Sequence, residues 1–266
     1  MGKFIISIFI FISTLFSYQT IKICDDINEW PPYIFFERKN GHTSNHVIGI
    51  VPELLKQIFT KLDINYSINM IPWKRCTFLV AHYNKSKKYA MFLDGSYSKK
   101  RDKLYYHTLP IYSTKQAVFY SSKKYTKKEI LNKIKNDINS LRICDVNGYQ
   151  VEHYKNVLGY TKQIDLNADN EYQVFEKISR NRCDITIAAK DPIYGQTLIG
   201  KYTLPKDIKS AILPQYKPIK FYMWISKQYP QAKILKNNIN QTFLELKQNG
   251  TYNKILNKYI KKNSND

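Results

Sequence analysis

From residue 21 onward, short apolar runs with strand-like alternation take turns with longer runs whose apolar residues recur every three or four positions. No other feature constrains the fold as much. A strand, a helix and another strand in sequence close most readily into a sheet with helices on its faces. Ile21-Lys22-Ile23-Cys24 is the first strand, and an aromatic, proline-rich loop follows over 30–36. Residues 40–46 are polar and read as loop. Leu54, Ile58 and Leu62 stand four apart on one helix face, with Pro52 in the first turn, where proline is tolerated. Tyr66, Ile68 and Met70 alternate with Ser67 and Asn69 as a strand does. Pro72 opens the next helix, 89–93 is a strand, and DGSYSKKR is the loop after it.

The second half repeats the theme. Thr126 and Glu129 have the spacing of a capping box, and Ile130, Ile134 and Ile138 follow on one face. Strands are expected at 141–146, 163–166 and 183–189, with Gly148 turning into a helix. Phe175 and Ile178 belong to another helix, running to Arg180. Near the end, Ile239, Phe243 and Leu246 share a face, and Asn249-Gly250 stops that helix. Thr251 caps a last one carrying Ile255, Leu256 and Tyr259. The expectation is an α/β protein with parallel sheets. Its 266 residues suffice for one or two well-buried domains, and 43% apolar residues is ordinary for a globular chain. Only the final KKNSND reads as disordered.

Ahead of this pattern, Lys3 precedes an almost wholly apolar run over 4–16, and polar Ser17-Tyr18-Gln19-Thr20 follows. That is the layout of a basic n-region, an h-region and a cleavage zone. The run falls short of the roughly 20 residues that span a bilayer. Residues 1–20 therefore read as a signal peptide, with an N-terminal membrane anchor as the alternative, and the mature protein as exported and soluble. No small residues precede Cys24, which argues against lipid modification there.

Export changes how Cys24, Cys76, Cys144 and Cys183 read. An even number in an oxidising compartment suggests disulfides, with three pairings open and buried free thiols as the other choice. No CxxC pair exists, and the five histidines show no ligand spacing, so no metal site and no cofactor is expected. The formal charge of +21 invites a nucleic-acid reading. The lysines are scattered, however, no basic helix or finger spacing is present, and nucleic acid is not expected as a partner. A basic surface would still concentrate anionic ligands nearby. No nucleophile elbow or phosphate loop occurs either.

Several segments, in order and spacing, resemble one family over nearly the whole mature chain. They are the PPY run after the first strand, the GIVPELL helix from Gly49, and Pro72-Trp73-Lys74-Arg75. The series continues with Ser98 to Arg101, Leu109-Pro110-Ile111-Tyr112, Arg182-Cys183-Asp184 and the closing NGTYNKILNKY. The family is that of bacterial extracellular solute-binding proteins, family 3, the amino-acid-binding components of ABC importers. The resemblance implies a two-lobed, type II periplasmic-binding-protein-like fold. One lobe would comprise 21–113 with 220–262, and an inserted second lobe 114–219. Ligand would bind in the cleft, buried by hinge closure. On that division, Cys24–Cys76 and Cys144–Cys183 is the pairing that keeps each disulfide inside one lobe.

The resemblance also implies site residues. Arg101 matches the arginine that grips a ligand carboxylate, a task suited to its planar fork of donors; alone, it would read as a surface arginine among lysines. Asp94 and Ser96 lie in the same segment, although Asp94-Gly95 could be a simple turn. Trp30 and Trp73 match apolar walls of the cleft, with ordinary core as the alternative. The second-lobe contacts depart from the family pattern. Gly148 is followed by Tyr149-Gln150 rather than small hydroxyl residues, so Gln150 stands at that contact. The acid that usually meets the ligand's amino group falls on Ala189, leaving Asp191 or Asp94 for that role. The departure bears on the ligand rather than on the fold. The expected function is capture of a small polar solute in the periplasm, an amino acid or a related carboxylate, by a monomer without enzymatic activity. Its partner would be a membrane ABC permease or a separate membrane sensor. The alternatives are a dehydratase-like enzyme on the same scaffold and a sensing module.

Overall fold

The computed structural model describes residues 20–147 and 151–260. The chain begins with β1 (Ile21–Asp26), a hairpin of β2 (Phe35–Lys39) and β3 (His42–Ile48), α1 (Ile50–Lys61), β4 (Tyr66–Ile71), α2 (Trp73–Ala81) and a short α3 (Tyr83–Ser86). It continues with β5 (Met91–Ser96), α4 (Lys99–Leu104), β6 (Tyr105–His107), β7 (Tyr112–Thr114) and β8 (Gln116–Ser121). Then come α5 (Lys127–Asn136), α6 (Glu152–Leu158), α7 (Glu171–Ser179), β9 (Ile185–Ala189) and α8 (Lys190–Leu198). Last are β10 (Ile208–Ile212), β11 (Ile219–Ser226), α9 (Ala232–Gln248) and α10 (Thr251–Ile260).

These elements make two lobes around two sheets. The first sheet has the order β4-β1-β5-β11-β6, with β7 also paired to β11. Its strands bury both faces by the two-residue alternation of a pleat. Met91 and Leu93 join Ile23, Leu54, Ile58, Ile239 and Phe243 in one core. Phe92 points the other way, into a cluster with Cys24, Cys76, Tyr105 and Trp224. The second sheet has the order β10-β8-β9. Val118 and Tyr120 pack with Ile130 and Ile134 on one side, and Ala117 and Phe119 with Phe175 and Ile178 on the other. Thr126 does cap α5 in a reciprocal box with Glu129. Both disulfides join the partners anticipated, Cys24–Cys76 in the first lobe and Cys144–Cys183 in the second.

The sheets are not uniformly parallel, as strand–helix alternation led us to expect. β1 runs parallel to β4 and β5. β11, however, returns from the second lobe and lies antiparallel to β5, β6 and β7. All pairs of the second sheet are antiparallel. Residues 40–46 are the turn and most of the second strand of a hairpin, not a loop: Asn40 and Gly41 both take positive φ (52° and 78°), the tight turn that suits strand twist. Residues 94–101 are not loop either. Asp94, Gly95 and Ser96 complete β5, and Ser98 caps α4 by accepting the Arg101 N–H at 3.2 Å. Conversely, 141–146 and 163–166 supply only single parallel bridges, Ile143 to Ile185 and Cys144 to Asp165. Thr251 is the first residue of α10 rather than its cap.

Candidate functional site

The chain passes between the sheets at Lys115, between β7 and β8, and again over 213–218, between β10 and β11. Carboxyl ends of strands from both lobes therefore face one cleft, where ligands collect in α/β proteins. A cavity of about 540 Å³ lies there, lined by Trp30, Ser96, Arg101, Thr114 and Phe221, and by Asp145, His153, Glu171, Phe175, Thr186 and Ala189.

Arg101 is held in place from three sides. The Ser98 cap fixes the first turn of α4, whose third residue is Arg101. Its Nη1 donates to the Ser96 carbonyl at 2.6 Å and to Ser96 Oγ at 3.0 Å. The guanidinium also lies 5.3 Å from the centre of the Trp73 ring, a cation–π distance. Burial pulls its pKa down, yet an arginine keeps its charge under such pressure. Trp73 thus supports Arg101 from behind. It packs edge-on against Phe92, 5.3 Å between centroids, and lines a smaller side cavity with Thr77, Tyr97 and Tyr105 instead of the main one.

Trp30 closes the first-lobe wall beside Phe221, 6.2 Å between ring centres. Its buried Nε1 has no hydrogen-bond partner in the protein, and neither has Oγ1 of the fully buried Thr114. Phe221 stacks on Tyr112 at 4.8 Å, and Tyr112 on Tyr33 at 3.6 Å. Beneath this stack is Asp94, 9% exposed, whose carboxyl oxygens find no hydrogen-bond partner. Burial and the neighbouring Asp25 carboxyl push the Asp94 pKa well up, and the nearby Tyr112 hydroxyl offsets this only in part. Burial likewise raises Asp25 to about 6, against the pull of three backbone N–H groups, from Asp26, Leu93 and Asp94.

The second-lobe wall is acidic. Asp145 accepts the Tyr154 hydroxyl at 2.9 Å and the Val146 N–H at 2.7 Å. Burial raises it to about 6, and the charge of Glu171 adds to the rise. Glu171 is half-buried at the first position of α7, directly after its Asn170 cap.

Asp191, in the first turn of α8, reaches across to the other lobe, where its Oδ2 accepts the Tyr33 hydroxyl at 3.2 Å. Two more bonds cross beside it: Gln196 Nε2 to the Glu29 carbonyl at 3.2 Å, and Lys201 Nζ to the Asn28 carbonyl at 2.8 Å. Gly195 touches the Pro31 backbone so closely that a Cβ there would lie 2.3 Å from the Pro31 oxygen.

Of the residues expected from sequence, Trp30, Ser96 and Arg101 thus come together on the cavity wall. Trp73 and Asp94 stand behind that wall, and Asp191 sits at the contact between the lobes. Gln150 lies outside the described residues. Sequence reasoning missed Asp145, Glu171, Thr114 and Phe221. Asp145 and Glu171 did carry a signal, because acids at a strand's end and at a capped helix start sit where α/β clefts form. Among the described residues, the one group of three potential metal ligands is Cys144, Asp165 and Cys183, whose two sulfurs are joined to each other.

Comparison with known proteins agrees with this geometry. The family described as bacterial extracellular solute-binding proteins, family 3, matches residues 21–262. Among solved structures, a probable amino-acid ABC transporter extracellular-binding protein from Bacillus subtilis superposes with a TM-score of 0.70 at 14% identity, covering 91% of this chain and 97% of that one. The arginine-, lysine-, histidine-binding protein ArtJ from Geobacillus stearothermophilus gives 0.65 at 14% identity, over 93% and 97%. A histidine kinase sensor domain similar to periplasmic binding proteins gives 0.66 at 16% identity, over 91% and 96%. At these identities the likeness establishes the fold alone. No curated protein sequence matches the chain.

Proposed function

The chain belongs to the bacterial extracellular solute-binding proteins, family 3, and on that footing we propose that it captures a small carboxylate-bearing solute, an amino acid or close relative, and hands it unaltered to an ABC importer. The observation that carries this reading is Arg101. It is a half-buried guanidinium, anchored on Ser96 and Trp73, at the wall of a cavity between two lobes. A fixed fork of N–H donors in a desolvated cleft binds a carboxylate through paired, charge-assisted bonds. Ser96 and the unpartnered Trp30 Nε1 add donors to the same wall. Residues 1–20 fit a leader that sends the protein to the periplasm, and among the described residues no helix is long and apolar enough to cross a membrane.

In this reading the lobes close by bending at Lys115 and over 213–218, with 21–113 and 220–262 forming one lobe and 114–219 the other. Closure is secured where α8 meets the loop before β2, through Tyr33–Asp191, Gln196–Glu29 and Lys201–Asn28. A second reading, in which the closed state signals to a separate membrane partner, has support in the likeness to a kinase sensor domain. Both readings require the ligand to leave unchanged. The test is to incubate the protein with a bound amino acid and analyse what is released. Intact ligand supports both, and a dehydrated or otherwise altered product supports an enzyme. Capture by reconstituted permease then separates transport from sensing.

A further inference from the structure

Cations that are scattered along the sequence are gathered by the fold on one face of the first lobe. α1, α9 and α10 pack on one side of the first sheet, and α2 packs on the other, over Phe92, Tyr105 and Trp224. α4 joins α2 there, where the Tyr105 hydroxyl donates to the Thr77 carbonyl at 2.8 Å, and Gln228 Oε1 ties in α3 by accepting the Asn84 N–H at 3.0 Å. On this layer Lys74 and Arg75 of α2 are exposed, as are Lys85 of α3 and Lys87 and Lys88 in the turn after it. Lys100 and Lys103 of α4 extend the same charge. The only acid on these three helices is Asp102, which faces His107 Nε2 at 3.6 Å. Among the described residues no carboxylate is ion-paired with any of these cations. The opposite side of the sheet differs: there Glu245 pairs with Lys61 and Glu53 with Lys258, both at 2.7 Å. A second observation falls on the same layer. Phe78, Tyr97 and Leu104 are 60%, 51% and 43% exposed. Phe78 shares the outer face of α2 with Arg75 and His82, and Tyr97 and Leu104 border the side cavity between α2 and α4. Exposed large apolar side chains set among charges of one sign mark an interaction surface.

We propose that the outer face of α2, α3 and α4 docks on an anionic phospholipid surface, with the lysines against the headgroups and Phe78, Tyr97 and Leu104 at the boundary of the acyl layer. Charge complementarity selects an anionic partner, and the apolar side chains select a lipid one. A nucleic acid presents charge without an apolar layer. An acidic protein face is matched best by the planar fork of arginine, whereas this face is built mostly of lysine, a flexible point charge. Lysines near an anionic leaflet and an apolar anchor are separate signals that add, and neither suffices alone. Arg101 sits on the same short helix but turns inward to the cleft, so α4 divides its charges between ligand and membrane. Docking of this kind holds the protein at the membrane whether or not the cleft is filled.

The experiment is cosedimentation of the mature protein with vesicles of phosphatidylcholine alone and of phosphatidylcholine mixed with phosphatidylglycerol, at low and high salt. Because the whole chain is basic, at +21, the test compares two triple variants that lose the same charge. One carries Lys74→Gln, Lys85→Gln and Lys103→Gln on this face, and the other Lys127→Gln, Lys128→Gln and Lys135→Gln on α5 of the second lobe; all six positions are exposed. Wild type should bind the phosphatidylglycerol vesicles only, and less at high salt. The first triple variant should lose about a hundredfold in partitioning, and the second should stay near wild type. Phe78→Ser should weaken binding by about tenfold with its salt dependence unchanged. Equal losses in the two triple variants would assign the attraction to the net charge of the molecule and overturn the docking face. Absence of binding to phosphatidylglycerol vesicles would overturn it outright. Full affinity in Phe78→Ser, with displacement from the vesicles by an acidic peptide, would make the partner an acidic protein and overturn the lipid assignment.

Discussion

Arg101 carries most of what the first lobe contributes to recognition. Arg101→Ala removes the guanidinium but leaves Ser98 to cap α4 and Trp73 packed on Phe92. Affinity for the carboxylate ligand should fall about tenfold to a hundredfold or more, with the circular dichroism spectrum unchanged. Arg101→Lys should recover only part of it, because an ammonium is a point charge without the planar fork. Unchanged affinity in the alanine variant would remove Arg101 from the site. A second residue-scale consequence concerns Asp25 and Asp94. Burial raises both pKa values, Asp25 to about 6, so the folded protein holds these protons more tightly than the unfolded chain, whose aspartates titrate near about 4. Their contribution to stability is complete below that unfolded value and is lost as the pH rises through about 6 for Asp25. Asp94→Asn removes the like charge beside Asp25. The Tm gain of this variant over wild type should be larger at pH 8 than at pH 5, and an equal gain at both would contradict the account. Asp184 runs the other way. Burial alone would raise its pKa, but Arg142 and Lys124 win and hold it at about 2; its contribution is present above about 4 and is lost on acidification.

At the scale of elements, the lobe contact gives a sharp test. α8 lies against the loop before β2 because Gly195 has no side chain at that point. Gly195→Ala improves helix propensity yet places a methyl into the Pro31 carbonyl. The expected signature is reduced ligand affinity with a Tm that is unchanged or raised; a parallel loss of both would mean that the glycine matters to the fold rather than to closure. The disulfides span 52 and 39 residues, and on loop entropy each is worth about 4 kcal/mol. Reduction should lower the thermal midpoint by many degrees, which calorimetry with and without reductant measures. Much of this level was legible in the sequence. α1, β4, α5, α7 and α9 follow their apolar spacing, because a single buried face writes its own period, and α2 follows Pro72 as expected. The hairpin of β2 and β3 was legible in Asn40-Gly41 and was obscured by the polarity of 42–46, on a strand that pairs with a single neighbour and buries little. Residues 141–146 look like a strand because they are buried, yet they contribute only bridges to the sheet edge.

For the whole molecule, the two-lobed architecture was readable only through resemblance, since no local pattern says that β11 returns to the first sheet. The site divides on the same line. Arg101 lies within, and Ser96 and Trp30 beside, segments whose order resembles the family, whereas Asp145 and Glu171 meet at the cavity only because separate elements of the second lobe converge there. The central claim is that this cleft captures a carboxylate-bearing amino compound and gives it back unchanged. The most direct measurement is a thermal-shift screen of the mature protein against amino acids, polyamines, organic acids and sugars, followed by mass analysis of the released ligand. At a hundred times its dissociation constant a ligand adds about 2.7 kcal/mol, a shift of a few degrees. We expect amino acids to stabilise the protein, with the ligand recovered intact. A response confined to sugars or polyamines, or recovery of an altered product, would contradict the account.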